Sequence, residues 1–372
     1  MYKIICVLFI ILFGCRNGNP TEIEYTCKLE LSEDKIFHLD SETSQMTNII
    51  QLFTENDTIF FSFANEYDNS IVIYDYLSGN FISKLKFDKE GSDGVGNFTS
   101  YYYHSNDSIF IFYQWYGKLF ILDKQTRKYD ELDFNIPSYS SKELNPPSIY
   151  PLTRAPIRKI SNFLVCTGVQ SSDDNKQFRP STVLYDFYTN EIRFANNLPD
   201  IYMNKSWGNL FAYKYACTTF NNNTMVLSYG ADHYITVYNI EKDENKSFYA
   251  GTKHYSEIKP SRLQSNTNFE DEDIHYMNNL CYRNILFDEY RNIYYRFVFL
   301  PHPNYDREDR YLRRPFSVII LDSDFNIIGE TLLPEFEYLI AQTFVSPDGL
   351  HVQVMSDNDD FMVFKTFKIT EL

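Results

Sequence analysis

Residues 119–132 read LFILDKQTRKYDEL. An apolar run ends on Asp123, a short polar turn follows, and a second strand-like run begins. That is a β-hairpin pattern, with an aspartate whose short side chain can bond the backbone of the turn after it. The arrangement recurs as VIYDYLSGNFISKLKF from Val72, VLYDFYTNEIRFA from Val183, TVYNIEKDENKSFY from Thr236 and VIILDSDFNIIGETLL from Val318. A weaker copy, FMVFKTFKITEL, starts at Phe361. The first strand of each full copy stops on Asp75, Asp123, Asp186, Asn239 or Asp322. A further strand precedes each copy, as in DTIFFSF (57–63), DSIFIFY (107–113) and NIYYRFVFL (292–300), and most have one more apolar stretch upstream. The repeating unit is therefore three to four antiparallel strands, used about six times.

The central strands are apolar on both faces. In KLFILD, Leu119 and Ile121 point one way and Phe120 and Leu122 the other. A sandwich strand has one wet face, so such strands favour small sheets packed radially, each covered on both sides. The fold class expected is all-β: a six-bladed β-propeller of antiparallel three- to four-stranded blades over residues 24–372. The stretch YTCKLELSEDKIFHLD (25–40) has strand character without a full unit around it. It is expected to supply the missing outer or inner strand of the C-terminal blade and so fasten the ring.

The first fifteen residues, MYKIICVLFIILFGC, are a separate object. Lys3 is a basic n-region and Ile4 to Phe13 an apolar core, long enough for a signal peptide and too short for a membrane span. Leu12-Phe13-Gly14-Cys15 resembles the lipobox of bacterial lipoproteins, which implies a signal peptide over 1–14, acylation of Cys15 and a lipidated tether over 15–23. Several acyl chains on one cysteine give stable attachment. The expected location is the bacterial cell envelope, lipid-anchored, with the membrane and the leaflet left open.

A formal charge of −16 disfavours nucleic acid and anionic lipid as partners. Beyond Cys15, Cys27, Cys166, Cys217 and Cys281 could pair in three ways, but the last three lie in apolar strand-like runs and read as buried thiols. Asp322-Ser-Asp324-Phe-Asn326 begins like a calcium loop, yet Ile327 and Leu333 stand where the turn glycine and the bidentate glutamate belong. FEDEDIHY (269–276) reads as a solvated acidic loop. No His-Glu-x-x-His, Gly-x-Ser-x-Gly or phosphate-cradling loop is present, so no catalytic residue, metal site or cofactor is assigned.

The segments KLKFDKEGSDGVGNFTSYYYHSNDSIFIF (84–112), RRPFSVIILDSDFNIIGE (313–330) and FVSPDGLHV (344–352) resemble a group of Bacteroidetes lipoproteins described as TolB-like six-bladed propellers, in particular a branch known only as a domain of unknown function. The resemblance implies the fold and an envelope location. It implies no established activity and brings no catalytic motif.

In a four-strand blade, the blade-to-blade connections and the loops between second and third strands open on one face, and both are long here (88–104, 135–159, 196–214, 250–280, and 168–181, 300–315). Loops on a rigid scaffold carry binding. They hold aromatics and arginines, the usual anchors of recognition surfaces: Tyr101, Tyr103, His104, Arg154, Arg158, Arg179, Trp207, His302, Arg310, Arg313 and Arg314. The expected function is a non-catalytic binding or scaffold module for a protein partner or an extracellular, for example carbohydrate, ligand. The alternative is a propeller-fold glycan hydrolase or lyase with paired carboxylates on the long-loop face. If the first is right, alanine at Arg313 and Arg314 weakens partner capture without unfolding the chain.

Overall fold

The computed structural model describes residues 24–113, 117–134, 136–170, 177–203, 205, 207–208, 213, 215–261, 269–302 and 314–372. Six antiparallel sheets follow one another along the chain as a six-bladed β-propeller. Their first strands are Ile50–Glu55, Ser100–Ser105, Arg158–Ile160, Cys217–Asn221, Cys281–Asp288 and Tyr338–Ser346. Around the axis Ile50–Glu55 touches both Ser100–Ser105 and Tyr338–Ser346, and Cys281–Asp288 touches both Cys217–Asn221 and Tyr338–Ser346. The later strands of each blade step outward.

Burial follows this radial order. Phe316–Leu321 and Gly349–Val354 are buried along their whole lengths, whereas the outermost Glu244–Tyr249 is largely exposed. A strand apolar on both faces needs a packed neighbour on each, and the adjacent blades provide them. The turns behave as the repeat suggests. Asp123 Oδ1 accepts the backbone N–H of Gln125 (2.9 Å) and Arg127 (3.0 Å), and Asp322 Oδ1 those of Asp324 and Asn326. Asp75, Asp186 and Asn239 accept from Ser78, Tyr188 and Lys242 in the same way.

The ring closes through the N-terminal segment, on the outside. Cys27–Leu31 and Lys35–His38 both pair antiparallel with Phe361–Glu371, from Cys27 opposite Glu371 to His38 opposite Phe361. Phe37 is fully buried and stacks on Phe61 of the first blade, ring centroids 4.1 Å apart. Cys27 also crosses the backbone of the fifth blade so closely that a side chain at Gly329 would collide with its carbonyl.

Two expectations change, and the reading of the cysteines holds. TSYYYH is not a loop: Ser100–Ser105 is the axial strand of the second blade, its tyrosines filling the space between blades. The acidic run is not a loop either, because Phe269–Met277 forms a single α-helix. Nine residues are too few for a helical period to stand out beside the strand alternation around them. The cysteines Cys27, Cys166, Cys217 and Cys281 are buried thiols without disulfides, and burial pushes Cys166 up to about 12 and Cys281 to about 11.

A buried polar knot joins the last blade to the first. His351 Nε2 meets Ser346 Oγ (2.7 Å) and Tyr76 Oη (3.1 Å), and its Nδ1 meets Thr366 Oγ1 (3.0 Å). Burial lowers its pKa to about 3, against 6.5 for a free imidazole. The folded state thus refuses a proton that the unfolded chain takes up. Stability is complete above pH 6.5 and is lost as pH falls from there towards 3, by up to about 1.4 kcal/mol per pH unit. Urea denaturation across that range measures the slope, and His351→Gln is expected to flatten it.

Candidate functional site

The segment 150–158, YPLTRAPIR, positions the site. Pro151 and Pro156 flank it and keep it out of a sheet ladder. Between them Leu152 and Ala155 exchange backbone hydrogen bonds (2.9 and 3.2 Å) to make a tight turn. Thr153 donates its N–H and its hydroxyl to the carbonyl of Asn48 (3.1 and 2.9 Å), and Ile50 N–H donates back to Thr153 Oγ1 (2.9 Å). On the other side, Thr218 N–H donates to the carbonyl of Arg154 (2.7 Å). Asn48 and Ile50 lead into the first blade and Thr218 into the fourth, and these stand opposite each other in a ring of six. The turn therefore crosses the axis at the long-loop face, with Ala155 fully buried against Tyr215 and Val169.

Beneath it lies an axial cavity of about 230 Å³. Four axial strands wall it, through Ile50–Leu52, Thr218–Phe220, Asn284–Phe287 and Thr343–Val345. It reaches down to Glu289, which is exposed in the turn after Asp288. The cavity thus extends towards the tight-turn face, opposite to the one the loop lengths suggested.

Most polar groups on the wall are already engaged. Gln51 exchanges hydrogen bonds with the backbone of Tyr103. Asn284 donates to Ile340 O and Thr343 Oγ1, Thr218 pairs with Thr167, and Thr219 Oγ1 accepts from Phe287 N–H. Two arginines differ. The Arg154 side chain has no hydrogen-bond acceptor among the described residues, and its buried Nε is unsatisfied. The guanidinium lies 5.4 Å from the centre of the Tyr215 ring. Arg158 donates only to the carbonyl of its neighbour Ile157 (3.0 Å) and lies 5.0 Å from the Tyr102 ring. Burial holds both guanidinium pKa values below the ordinary arginine value, and the like charge of Arg283 adds to this at Arg154. Neither has a carboxylate partner among the described residues. Both residues are half-buried, so each cation is partly withdrawn from water with no carboxylate beside it among the described residues, and a cation–π contact returns about 0.5–2 kcal/mol.

The other candidate residues go elsewhere. Tyr101 is a core residue bonded to Ser62 Oγ (2.8 Å), and Tyr103 stacks on Phe53 and bonds Asn106. His104 is exposed at the far end of its strand, against Tyr102 Oη (3.1 Å). Trp207 is buried between Tyr202 and Tyr213, its Nε1 donating to Ile201 O (3.2 Å). Arg179 is 4% exposed, against Met203. His302 is half-buried, its N–H on Met277 O. Arg314 is 3% exposed, lies over the rings of Tyr276 and Phe299, and donates to the carbonyls of Leu300 and Asn279. Arg310, Arg313 and Cys15 lie outside the described residues. Of the set, the structure brings Arg154 and Arg158 to one cavity. The polar wall went unread, although Gln51, Thr218, Asn284 and Thr343 are polar interruptions in otherwise apolar axial strands.

Fold and cavity define the class: a six-bladed β-propeller whose axial channel is closed at one end by its own loop. The chain belongs to the family described as "Domain of unknown function (DUF4221)", whose model matches residues 26–332. It is similar to the crystal structure of a member of that family from Bacteroides vulgatus ATCC 8482, with a TM-score of 0.78 and 20% identity over 94% of this chain and 100% of that one. A protein from Bacteroides fragilis NCTC 9343 is similar with a TM-score of 0.57 and 11% identity over 92% and 95%. At these identities the likeness shows the fold alone. No curated protein matches the chain.

The contacts of Arg314 reverse the expectation attached to it. Arg314→Ala strips charged donors from two carbonyls and is expected to cost about 2–3 kcal/mol of stability in urea denaturation.

Proposed function

We propose that the chain is a binding module, held at the bacterial cell envelope by a lipid on Cys15, which takes its ligand or partner at the propeller axis without converting it. The observation that carries this reading is the axial cavity itself: it is bounded by rigid strands, closed at one end, and lined by two cations with unspent donors. Small-molecule sites on proteins have this character, concave and largely pre-formed with a few convergent polar groups.

The competing reading, a glycan hydrolase or lyase, needs two acids facing each other across the scissile bond. Among the described residues the cavity lining holds one, Glu289. The buried acids Glu330 and Asp288 are not among its lining residues, and each is engaged by neighbouring side chains. Glu330 accepts from Thr252 and Ser317, and Asp288 from Tyr295 and Arg291.

For the anchor, Cys15→Ser is expected to abolish incorporation of labelled fatty acid and move the chain from the membrane to the soluble fraction. For binding, full-length chain purified from membranes in detergent is expected to melt at a higher temperature with its ligand, whose mass stays unchanged after incubation. A glycan shortened in the same incubation would establish the hydrolase or lyase instead.

A further inference from the structure

We infer that the axial cavity is a site for a small oxyanion, a carboxylate or a phosphate group, gripped by Arg154 and Arg158 beneath the 152–155 turn. The inference rests on the binding-module reading and deepens it by naming the ligand's chemistry.

The wall's amide and hydroxyl groups are largely turned inward on the protein's own backbone and side chains. What the cavity offers a visitor is the donors of two guanidiniums, Arg154 with none spent on described residues and Arg158 with one. A guanidinium is an acceptor-free fork of N–H donors whose spacing matches carboxylate and phosphate oxygens. Neutral sugars or amides would leave the charge uncompensated.

Charge and shape agree. Glu289, the one carboxylate on the lining among the described residues, sits at the exposed turn rather than beside the arginines. No counter-ion among the described residues therefore competes for them. Two like charges line one cavity, on and just after the crossing turn. A cation without a carboxylate partner among the described residues gains most from an anion that arrives from outside. The volume, about 230 Å³, is below the usual range for drug-sized ligands and admits a small molecule. Phe220, Phe287 and Val345 line the outer part of the cavity, so a short apolar body behind the anionic head fits better than a second polar end.

The test is calorimetric titration of the purified full-length chain at low salt. The probes are butyrate, acetate and inorganic phosphate, with butyramide as the neutral isostere of butyrate. Saturable binding of butyrate or phosphate, and none of butyramide, is expected. Butyrate binding more tightly than acetate and phosphate identifies the carboxylate with an apolar body, and the reverse order identifies the phosphate. Arg154→Met and Arg158→Met keep the stem and remove the charge, and each is expected to weaken binding at least about tenfold, as loss of a charge-assisted pair does. Should either variant fail to fold, the Nε–H NMR signals of Arg154 and Arg158 in the unaltered protein decide: the bound anion shifts both. No anion binding, binding undiminished in both variants, or unmoved Nε signals would overturn the inference. Capture of a neutral glycan or a protein with no response to any anion would overturn it while leaving the binding-module reading intact, whereas turnover of a glycan would sink that reading itself.

Discussion

The pairing of Cys27–Leu31 and Lys35–His38 with Phe361–Glu371 is the interaction on which the rest of this structure depends. A ring of sheets is held at one radius only when its two ends meet, and here they meet through backbone hydrogen bonds between the start and the finish of the described chain. Leu372 N–H reaches the carbonyl of Thr26 (3.0 Å), and Phe37 delivers the first segment's side chain into the seam between the sixth and first blades. Once that seam is shut, six axial strands are held at a fixed radius. The cavity between them is a consequence of closure rather than of any one blade.

The crossing turn exploits the same constraint. Asn48 and Thr218 are 170 residues apart in sequence, yet a turn of four residues between two prolines bonds to both, because the ring sets them across a narrow channel. The turn in its place brings Arg154 and Arg158 to the cavity and shields them. At the seam His351 is satisfied by Ser346, Tyr76 and Thr366. The axial arginines differ in what they face: Arg154 and Arg158 line a cavity, whereas Arg314 is packed among rings and carbonyls of its own chain.

How far the sequence could be read depended on the range of the forces involved. Asp75, Asp123, Asp186, Asn239 and Asp322 were legible as turn formers because their bonds reach two to four residues along the chain. The doubly apolar strands were legible because alternation is a local property, and they pointed to radial packing. The segment 25–40 was legible as the fastening, though not whether it joined inside or outside. The tyrosines of Ser100–Ser105 were misplaced because the glycine-rich approach to them resembles a loop. Trp207, Arg179 and Arg314 were grouped with binding residues by type, since aromatics and arginines look the same in sequence whether they face a ligand or a carbonyl of their own chain.

By itself the sequence determined the strands, the turns, the count of blades and the candidate segment for closing them, because these follow from side-chain alternation and from hydrogen bonds a few residues long. Only the tertiary structure decided which arginines are spent and which are not. Arg314 finds carbonyls at residues 279 and 300, while Arg154, on the crossing turn, and Arg158, at the start of an axial strand, find rings and a cavity, Arg158 with one carbonyl of its own neighbour. Compensation of a charge depends on what the ring brings within about 3 Å of it, and those neighbours come from blades far apart in the chain.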